Sequence, residues 1–240
     1  MPDPSTAAQP VLAVRELHAH YGESHVLHGV TFDLRKGELV TLIGRNGAGK
    51  STTLKTIMGL MRRASGSIIY EGGEIMRMSA HQIGRLGLAF CPEDRGIFAS
   101  LNVYENLTLP PVLRPGGMRV DEIYELFPNL RERRTSQGTK LSGGEQQMLA
   151  IARILRTGAT TLLLDEPTEG LAPVIVEHIG IAIRKLKEKG LTTLLVEQNF
   201  RFAATVSDRF YVIENGVVVD TFSGGEVAAR ARDIESYLGL

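Results

Sequence analysis

The chain has 240 residues, enough for one large domain or two small lobes around a buried core. Its 27 basic and 27 acidic residues give a formal net charge of +0, so no global positive field indicates a nucleic-acid partner. One cysteine excludes an internal disulfide framework, and no apolar run approaches the roughly 20 residues that cross a bilayer, so any membrane role depends on a partner.

The first part of the chain predicts a tail followed by β-structure. Residues 1–10 are polar and proline-rich and lack the apolar segment of a secretion signal, so we expect a disordered tail. Residues 11–43 are rich in β-formers and end in the apolar run 39–43, a predicted buried strand. A helix over residues 50–60 and a strand over residues 66–70 are predicted next.

A glycine-rich loop lies between that buried strand and the predicted helix. It satisfies the pattern G-x-x-x-x-G-K-S/T, in which backbone N–H groups and a helix N-terminus hold phosphates. We expect Lys50 to reach the β- and γ-phosphates and Ser51 to ligate Mg²⁺. A chance glycine turn is the alternative, which the strand–helix context disfavours. The predicted nucleotide-binding residues of the loop are Gly44, Arg45, Asn46, Gly47, Ala48, Gly49, Lys50, Ser51 and Thr52.

The next stretch, residues 92–156, changes character. Its helical periodicity, as at residues 121–127, is broken by prolines and glycines near residues 110–117, which indicates an inserted helical lobe. Within it, residues 141–147 read Leu-Ser-Gly-Gly-Glu-Gln-Gln. This element suggests a second anion-binding surface, although Ser142 or Gly144 could also simply cap a helix.

An acidic pair follows a second apolar run, residues 160–164, which predicts a buried strand. Neighbouring strand residues point to opposite faces, so Asp165 and Glu166 should have different roles. We expect Asp165 to orient Mg²⁺ and Glu166 to polarise the attacking water. A turn that begins at Asp-Glu-Pro is the alternative, which the phosphate loop disfavours.

The remaining elements predict the architecture. Residues 173–189 predict an amphipathic helix, residues 191–196 a third apolar strand, and residues 211–221 a hairpin around Asn215 and Gly216. Strands that alternate with helices around a phosphate loop imply a mainly parallel sheet covered on both faces.

Three of these motifs together resemble the ATP-binding cassette (ABC) family of ATPases. They are the phosphate loop, the Leu-Ser-Gly-Gly-Glu-Gln run at residues 141–146, called the signature below, and the strand end 164–166. The resemblance implies an α/β P-loop NTPase fold, with a RecA-like mainly parallel sheet core and an antiparallel β subdomain. It also implies one nucleotide-binding domain over residues 11–240, with a helical subdomain inserted at about 92–156.

The resemblance also implies how the motifs share the nucleotide. In the family two cassettes pair head to tail, and the signature of one caps the ATP held by the other. The signature residues that would contact this nucleotide are Ser142, Gly143, Gly144 and Glu145. Tyr21 matches the aromatic residue that stacks on adenine, although a tyrosine on an edge strand is the alternative.

Two positions depart from the commonest family residues. Glu93 stands where a glutamine usually links the γ-phosphate and Mg²⁺ to the helical subdomain, and Gln198 stands where a histidine is usual. Glu93 adds negative charge, and Gln198 cannot become cationic, so an impaired site is one interpretation. By resemblance the catalytic residues are Lys50, Glu166 and Gln198, and the Mg²⁺ contacts are Ser51, Glu93 and Asp165.

The runs that contain these two positions, 92–98 and 196–199, together with residues 143–153 and 170–173, resemble one subfamily, the second ATPase subunit (LivF-type) of branched-chain amino acid importers. There Glu93 and Gln198 are expected residues. The resemblance implies a related second ATPase subunit, or a homodimer in isolation, and two permease subunits fed by a periplasmic binding protein. The chain would then lie at the cytoplasmic face of the inner membrane and would bind no nucleic acid. The transported solute stays open.

Two other classes of protein are weighed against this interpretation. One is a nucleotide-dependent ABC binding module without a transport role, which the neutral charge and the absence of basic tails disfavour. The other is a small-molecule P-loop kinase, which would leave the signature unexplained.

Some further side chains carry open interpretations. Arg153 and Arg156 could support the signature helix or serve as plain surface residues. The histidines of the first β-segment lack a cysteine or acidic ligand set, so surface positions are favoured over a metal site. They are His18, His20, His25 and His28.

Overall fold

The computed structural model describes residues 9–238, apart from the side chain of Glu235. Within these residues the strands are β1 (Leu12–Tyr21), β2 (Ser24–Leu34), β3 (Leu39–Ile43), β4 (Arg63–Tyr70), β5 (Gly73–Glu74), β6 (Leu88–Cys91), β7 (Thr161–Asp165), β8 (Thr192–Glu197), β9 (Arg209–Glu214) and β10 (Val217–Ser223). The α-helices are α1 (Lys50–Ile57), α2 (Ala80–Leu86), α3 (Val103–Thr108), α4 (Val120–Leu126), α5 (Pro128–Glu132), α6 (Gly143–Leu155), α7 (Pro173–Glu188), α8 (Phe200–Ala204) and α9 (Ala231–Leu238).

The strands form two sheets. The four-stranded sheet has the order β2-β1-β4-β5 and is antiparallel. The six-stranded sheet has the order β10-β9-β3-β8-β7-β6, and all its neighbouring strands are parallel except β9 and β10. This arrangement confirms the predicted mainly parallel sheet accompanied by an antiparallel β subdomain.

Successive residues of the parallel strands face two different hydrophobic cores. On one face Leu39, Leu162 and Leu195 join a core that includes residues of α6 and α7. On the other face Val40, Leu163 and Leu194 join a core shared with α1 and the antiparallel sheet. Because both faces are covered, every residue of β3, β7 and β8 is buried, which explains why these strands appear as continuous apolar runs.

Most predicted elements agree with the structure within one or two residues, but α1 is shorter than the predicted helix 50–60. It ends at Ile57 because Gly59 adopts φ 66°, and the N–H of Leu60 donates to the carbonyl of Lys55 at 2.9 Å. This hydrogen-bond pattern is a C-terminal helix cap, in which glycine readily adopts the left-handed conformation. Conversely, β4 begins at Arg63 rather than residue 66, since its pairing with β1 extends to His20.

The predicted hairpin near residues 211–221 is formed by β9 and β10. Its two turn residues, Asn215 and Gly216, have φ values of 48° and 74°, as a two-residue turn of this hand requires. A Cβ on Gly216 would lie 2.1 Å from the carbonyl oxygen of Val26, so only glycine fits there. The hairpin therefore packs closely against β2.

Helices α3 to α6 lie within residues 92–156, and the limits of the helical subdomain stay a prediction. None of the helices in the described part of the chain is long and apolar enough to cross a membrane. The predicted tail falls mostly on residues 1–8, which lie outside the described residues, as do residues 239–240 at the end of the predicted domain.

Candidate nucleotide-binding site

The carboxyl ends of parallel strands bring four sequence motifs to one cleft. Strand β3 leads into the phosphate loop, β6 into Glu93, β7 into Glu166, and β8 into Gln198, and ligands of open α/β sheets bind at this edge. The cleft has a volume of about 510 Å³. Its lining consists of Tyr21, Val26, Asn46, Gly47, Gly49, Lys50, Ser51, Thr52, Glu93, Glu166, Glu169 and Gln198.

The phosphate loop has the backbone shape that its glycines allow. Gly47 and Gly49 have φ values of 78° and 107°, and a Cβ on Gly44 would lie 2.2 Å from the carbonyl oxygen of Ile213. Lys50 is buried, and its Nζ donates to the carbonyls of Gly44 at 2.9 Å and Arg45 at 3.1 Å. The loop therefore wraps the ammonium group, as a phosphate-binding lysine requires.

Not every predicted loop residue lines this cleft. The predicted residues Arg45 and Ala48 line a smaller adjacent cleft of about 320 Å³, which shares Asn46 and Gly47 with the first. Gly44 contributes its carbonyl to Lys50 rather than a cleft surface.

Glu166 lies between a cation and an amide. Lys50 Nζ is 3.3 Å from its Oε1, and Gln198 Nε2 donates to its Oε2 at 2.5 Å. Its backbone has φ 44°, an unusual value outside glycine, and its N–H donates to the carbonyl of Val196 at 2.9 Å. Strained backbone at a buried carboxylate is typical of functional sites, and β8 holds this one in place.

Asp165 faces Ser51 rather than Lys50, so the two acids have different partners, as predicted. Ser51 Oγ donates to Asp165 Oδ1 at 2.8 Å, and Asp165 Oδ2 is buried without a hydrogen-bond partner. Burial raises the pKa of the Asp165 carboxyl; the Ser51 hydrogen bond opposes this shift and the charge of Glu166 adds to it. A buried, partly unsatisfied carboxylate beside a hydroxyl fits Mg²⁺.

Ser51 and Asp165 would fill only part of the coordination shell of a Mg²⁺ ion and leave its other positions to water and phosphate. Among the described residues, no group of three or more His, Cys, Asp or Glu side chains is arranged to hold a metal. Mg²⁺ commonly uses one or two protein carboxylates together with water and substrate phosphates, so this observation is compatible with Ser51 and Asp165 as ligands. Glu93 lines the same cleft and is exposed.

Tyr21 lies at the rim of the cleft as the last residue of β1 and is 50% exposed. Strand β1 lies between β2 and β4, but at Tyr21 itself only β2 pairs with it, through Ser24. An exposed aromatic ring beside a phosphate loop is available for stacking on a base.

The signature lies outside this cleft. Ser142 is exposed and caps α6: its Oγ accepts from the N–H of Glu145 at 3.3 Å, and the Glu145 carboxylate accepts from the N–H of Ser142 at 2.7 Å. Ser142 and Glu145 line a separate cleft of about 600 Å³. Ser142 therefore caps a helix, and the N-terminus of that helix does not face the chain's own phosphate loop. The helix-cap interpretation and that of a separate anion-binding surface are compatible.

Gly144 is required for packing at this N-terminus. A Cβ on Gly144 would lie 2.5 Å from Cγ2 of Ile175, whereas the nearest atoms to a Cβ on Gly143 lie at 3.5 Å. The second glycine therefore lets α6 approach α7, and the first does not.

Sequence reasoning did not assign Val26 and Glu169 to the nucleotide cleft. Glu169 follows the acidic pair by three residues, and its side chain lines this cleft. Burial raises its pKa, and the charges of Glu166 and Glu93 add to that shift. Its position in the sequence, three residues after Glu166 and just beyond Pro167, could have indicated that its side chain lies near the same cleft.

The four histidines cluster on the β1–β2 pair. His25 stacks on His20 with ring centroids 4.1 Å apart, and its Nε2 lies 3.2 Å from His18 Nδ1. Burial and the neighbouring imidazoles lower the pKa of His25. The surface interpretation of these histidines stays a prediction.

Several known proteins are similar to nearly the whole of this chain. The high-affinity branched-chain amino acid transport ATP-binding protein BraG of Pseudomonas aeruginosa is 43% identical, covering 95% of this chain and 100% of that protein. The protein of Archaeoglobus fulgidus named "Probable branched-chain amino acid transport ATP-binding protein LivF" is 39% identical over 96% of this chain and 99% of its own. The lipopolysaccharide export system ATP-binding protein LptB of Haemophilus influenzae is 33% identical, covering 95% of this chain and 97% of that protein.

Solved structures of ATP-binding cassettes share the fold of this chain. A crystal structure of a nucleotide-free ATP-binding cassette from an ABC transporter superposes with a TM-score of 0.84, covering 97% of this chain and 99% of that one at 23% identity. The family model described as ABC transporter matches residues 27–169, more than half of the chain. The chain therefore belongs to the ABC transporter family, as an ATP-binding subunit with ATPase activity.

Proposed function

We propose that this chain is one of two ATPase subunits of an importer for branched-chain or related amino acids. Relatives whose names state branched-chain amino acid transport match it over nearly the full length at 39% to 43% identity. Glu93 and Gln198, which depart from the commonest family residues, are expected in that subfamily. The observation that carries the mechanism is the exposed Ser142, which lies outside the cleft of the chain's own phosphate loop.

This separation supports a nucleotide site completed by a second cassette. The chain supplies Lys50, Asp165 and Glu166 to its own site, whereas Ser142 does not line that cleft. Helix α6 is 13 residues long, and its N-terminus presents backbone N–H groups and positive dipole to solvent. We infer that Ser142, Gly143, Gly144 and Glu145 contact the nucleotide held by a paired cassette, either a related subunit or a second copy.

The chain's own residues perform the hydrolysis in the proposed cycle. Lys50 exchanges its contact with Glu166 for the terminal phosphates, which frees the carboxylate to accept a proton from the attacking water. Gln198 donates to that carboxylate and keeps it oriented. When bound at Ser51 and Asp165, Mg²⁺ would neutralise charge on the phosphate oxygens.

The helical subdomain is the proposed contact with permease subunits. Of the exposed large hydrophobic side chains among the described residues, a group falls within residues 92–156, where solvent-exposed apolar surface indicates a partner. They are Phe98, Tyr104, Leu109, Val112 and Leu113. The subunit would thereby be held at the cytoplasmic face of the inner membrane, and a periplasmic binding protein would act on it indirectly.

Co-purification with permease subunits tests the transport role. We expect the chain to be retained with them in detergent, and the reconstituted complex to take up labelled leucine when ATP is supplied on the cassette side. A chain that never associates with a permease favours the non-transport binding module. Efflux in place of uptake would favour export, the process in the name of the 33% identical relative.

The solute requires a separate measurement. A cassette contacts ATP and permease rather than cargo, so binding assays on the cognate periplasmic protein, with leucine, isoleucine, valine, urea and short amides, would identify it.

A further inference from the structure

The segment after β6 connects the nucleotide cleft with the signature helix. Glu93 lines the cleft, and two residues later Arg95 has φ 63°, with its N–H donating to the carbonyl of Pro92 at 3.0 Å. This tight turn sends the Arg95 side chain in another direction from Glu93, toward α6. A left-handed conformation at a non-glycine residue is costly and is retained where the surroundings require it.

The Arg95 guanidinium packs on the first turn of α6. Its NH1 donates to Gln146 Oε1 at 3.2 Å, and both terminal nitrogens lie 3.5 Å from where a Cβ on Gly143 would be. Gln146 in turn donates to the carbonyls of Gly138 at 3.1 Å and Leu141 at 3.3 Å. Arg95 therefore contacts the signature and, through one amide, the backbone that leads into it.

A second arginine fixes the other side of the same segment. Arg153, near the end of α6, donates to the carbonyl of Gly96, and its guanidinium lies 4.9 Å from the centroid of the Phe98 ring. Of the two open interpretations of Arg153, support of the signature helix is the one these contacts favour. The segment and α6 are thus joined by side-chain contacts near both ends of the helix.

We propose that Arg95 is a positioning residue that couples Glu93, in the chain's own nucleotide cleft, to the signature that serves the paired cassette. The inference rests on the proposed intersubunit site. Arg95 aligns Ser142 and Gly143 with the partner's nucleotide only while the segment holding Glu93 keeps its place. Nucleotide bound at one site thereby biases the geometry of the other site. Arginine suits this role because its planar guanidinium group fixes orientation better than the ammonium group of a lysine would.

The test separates nucleotide binding from cassette pairing in the Glu166→Gln background, which should retain ATP without hydrolysing it. Binding of a fluorescent ATP analogue to the dilute monomer reports the chain's own cleft, and analytical ultracentrifugation with ATP reports pairing. The chain is examined alone and together with its co-expressed related subunit. Adding Arg95→Ala should change monomer affinity by less than about twofold and raise the ATP concentration for half-maximal pairing about tenfold, the size expected for a charged hydrogen bond.

Three further variants separate the proposed coupling from a general folding defect. Arg77→Ala, at an exposed arginine between β5 and α2, is the matched control and should leave both measurements unchanged. The double variant Arg95→Ala with Gln146→Ala should pair no worse than Gln146→Ala alone, because the latter already removes the shared hydrogen bond. Arg95→Lys should recover little of the pairing, since it keeps charge but loses the fork.

The outcomes are distinguishable. An Arg95→Ala protein that pairs at the same ATP concentration, or that loses monomer affinity and pairing in equal proportion, overturns the coupling role while leaving the proposed function intact. If the Glu166→Gln parent pairs with neither a second copy nor the related subunit, the intersubunit site itself is wrong, and the role of Arg95 falls with it.

Discussion

Gln198 donates its side-chain amide to Glu166 Oε2 at 2.5 Å, while Lys50 lies 3.3 Å from Oε1 of the same carboxylate. The carboxylate therefore has one oxygen held by a neutral donor and the other beside a phosphate-binding cation. Because an amide does not titrate, Gln198 stays a neutral donor near neutral pH, unlike the histidine usual in the family.

The first prediction concerns Glu166. Glu166→Gln removes the proton acceptor but preserves shape, so ATP binding should persist, steady-state hydrolysis should fall by at least about a hundredfold, and ATP-bound paired cassettes should accumulate. Phosphate release and size-exclusion chromatography measure these effects. Glu188→Gln, at an exposed residue of α7, is the control. Normal turnover in Glu166→Gln would show that another group is the base.

The second prediction concerns Gln198. Gln198→Ala leaves Glu166 without its amide donor, and we expect kcat to fall about tenfold, the loss for a hydrogen bond to a charged group. Gln198→His restores a donor that titrates, so its kcat should vary with pH between about 6 and 8 more than that of the wild type. Identical rates for all three proteins across that range would remove Gln198 from the mechanism.

Mg²⁺ binding provides the third prediction. Asp165→Asn removes the charge whose buried Oδ2 lacks a partner, and Ser51→Ala removes the hydroxyl beside it. Each should raise the Mg²⁺ concentration for half-maximal hydrolysis at least about tenfold, since Mg²⁺ prefers charged oxygen ligands. Asp94→Asn, an exposed carboxylate one residue after Glu93, is the comparison. Equal Mg²⁺ dependence in all variants would contradict the assigned ligands.

The two signature glycines should respond differently to alanine. In Gly144→Ala the new methyl group meets Ile175 at 2.5 Å, so we expect overpacking to cost about 1–3 kcal/mol of unfolding free energy and to impair pairing. Gly143→Ala, with 3.5 Å of space, should be tolerated structurally. Shortening the opposing side chain in Gly144→Ala with Ile175→Ala should restore pairing; failure of that rescue would mean the clash is not the cause.

The last prediction follows from Glu197. Its carboxylate accepts from Thr168 Oγ1 at 2.7 Å and from the N–H of Asn199 at 3.2 Å, but burial dominates and raises its pKa from 4.5 to about 7. The folded state therefore binds this proton more tightly than the unfolded state. Its contribution to stability is fully present below pH 4.5 and is lost as pH rises through about 7.

Replacing Glu197 by glutamine removes that titration. The unfolding free energy of the wild type, minus that of Glu197→Gln, should decline between pH 5 and 8 by an amount on the order of 3 kcal/mol. Urea denaturation at several pH values measures it, with Glu188→Gln as the exposed control. A difference that stays constant with pH would show that Glu197 is ionised throughout.

Local motifs were sufficient to predict much of the site. The phosphate loop needs glycines, Lys50 and Ser51 within one turn, and the acidic pair needs only a buried strand before it, so consecutive residues reveal both. The two-core pattern of the parallel strands was likewise visible as uninterrupted apolar runs.

Long-range contacts could not be predicted in this way. Arg95 and Gln146 are 51 residues apart, and no spacing rule joins them. Ser51 and Asp165, 114 residues apart, were both predicted to hold Mg²⁺, but the hydrogen bond between their side chains is visible only in the fold. Glu169 lines the cleft because of the path that the loop after β7 takes. That path depends on packing against the neighbouring strands, which the local sequence does not reveal.

The chemistry of this protein, a nucleotide-binding ATPase with a signature of the ABC type, can be inferred from consecutive residues, because recognition of phosphate and Mg²⁺ needs particular residues at short, fixed spacings. Which of these groups meet in space depends on the fold. Parallel strand order gathers four loops at one edge, while α6, held by its packing on α7 and by Arg95, turns Ser142 out of that cleft. Side-chain chemistry is local, whereas proximity results from the packing of the whole chain.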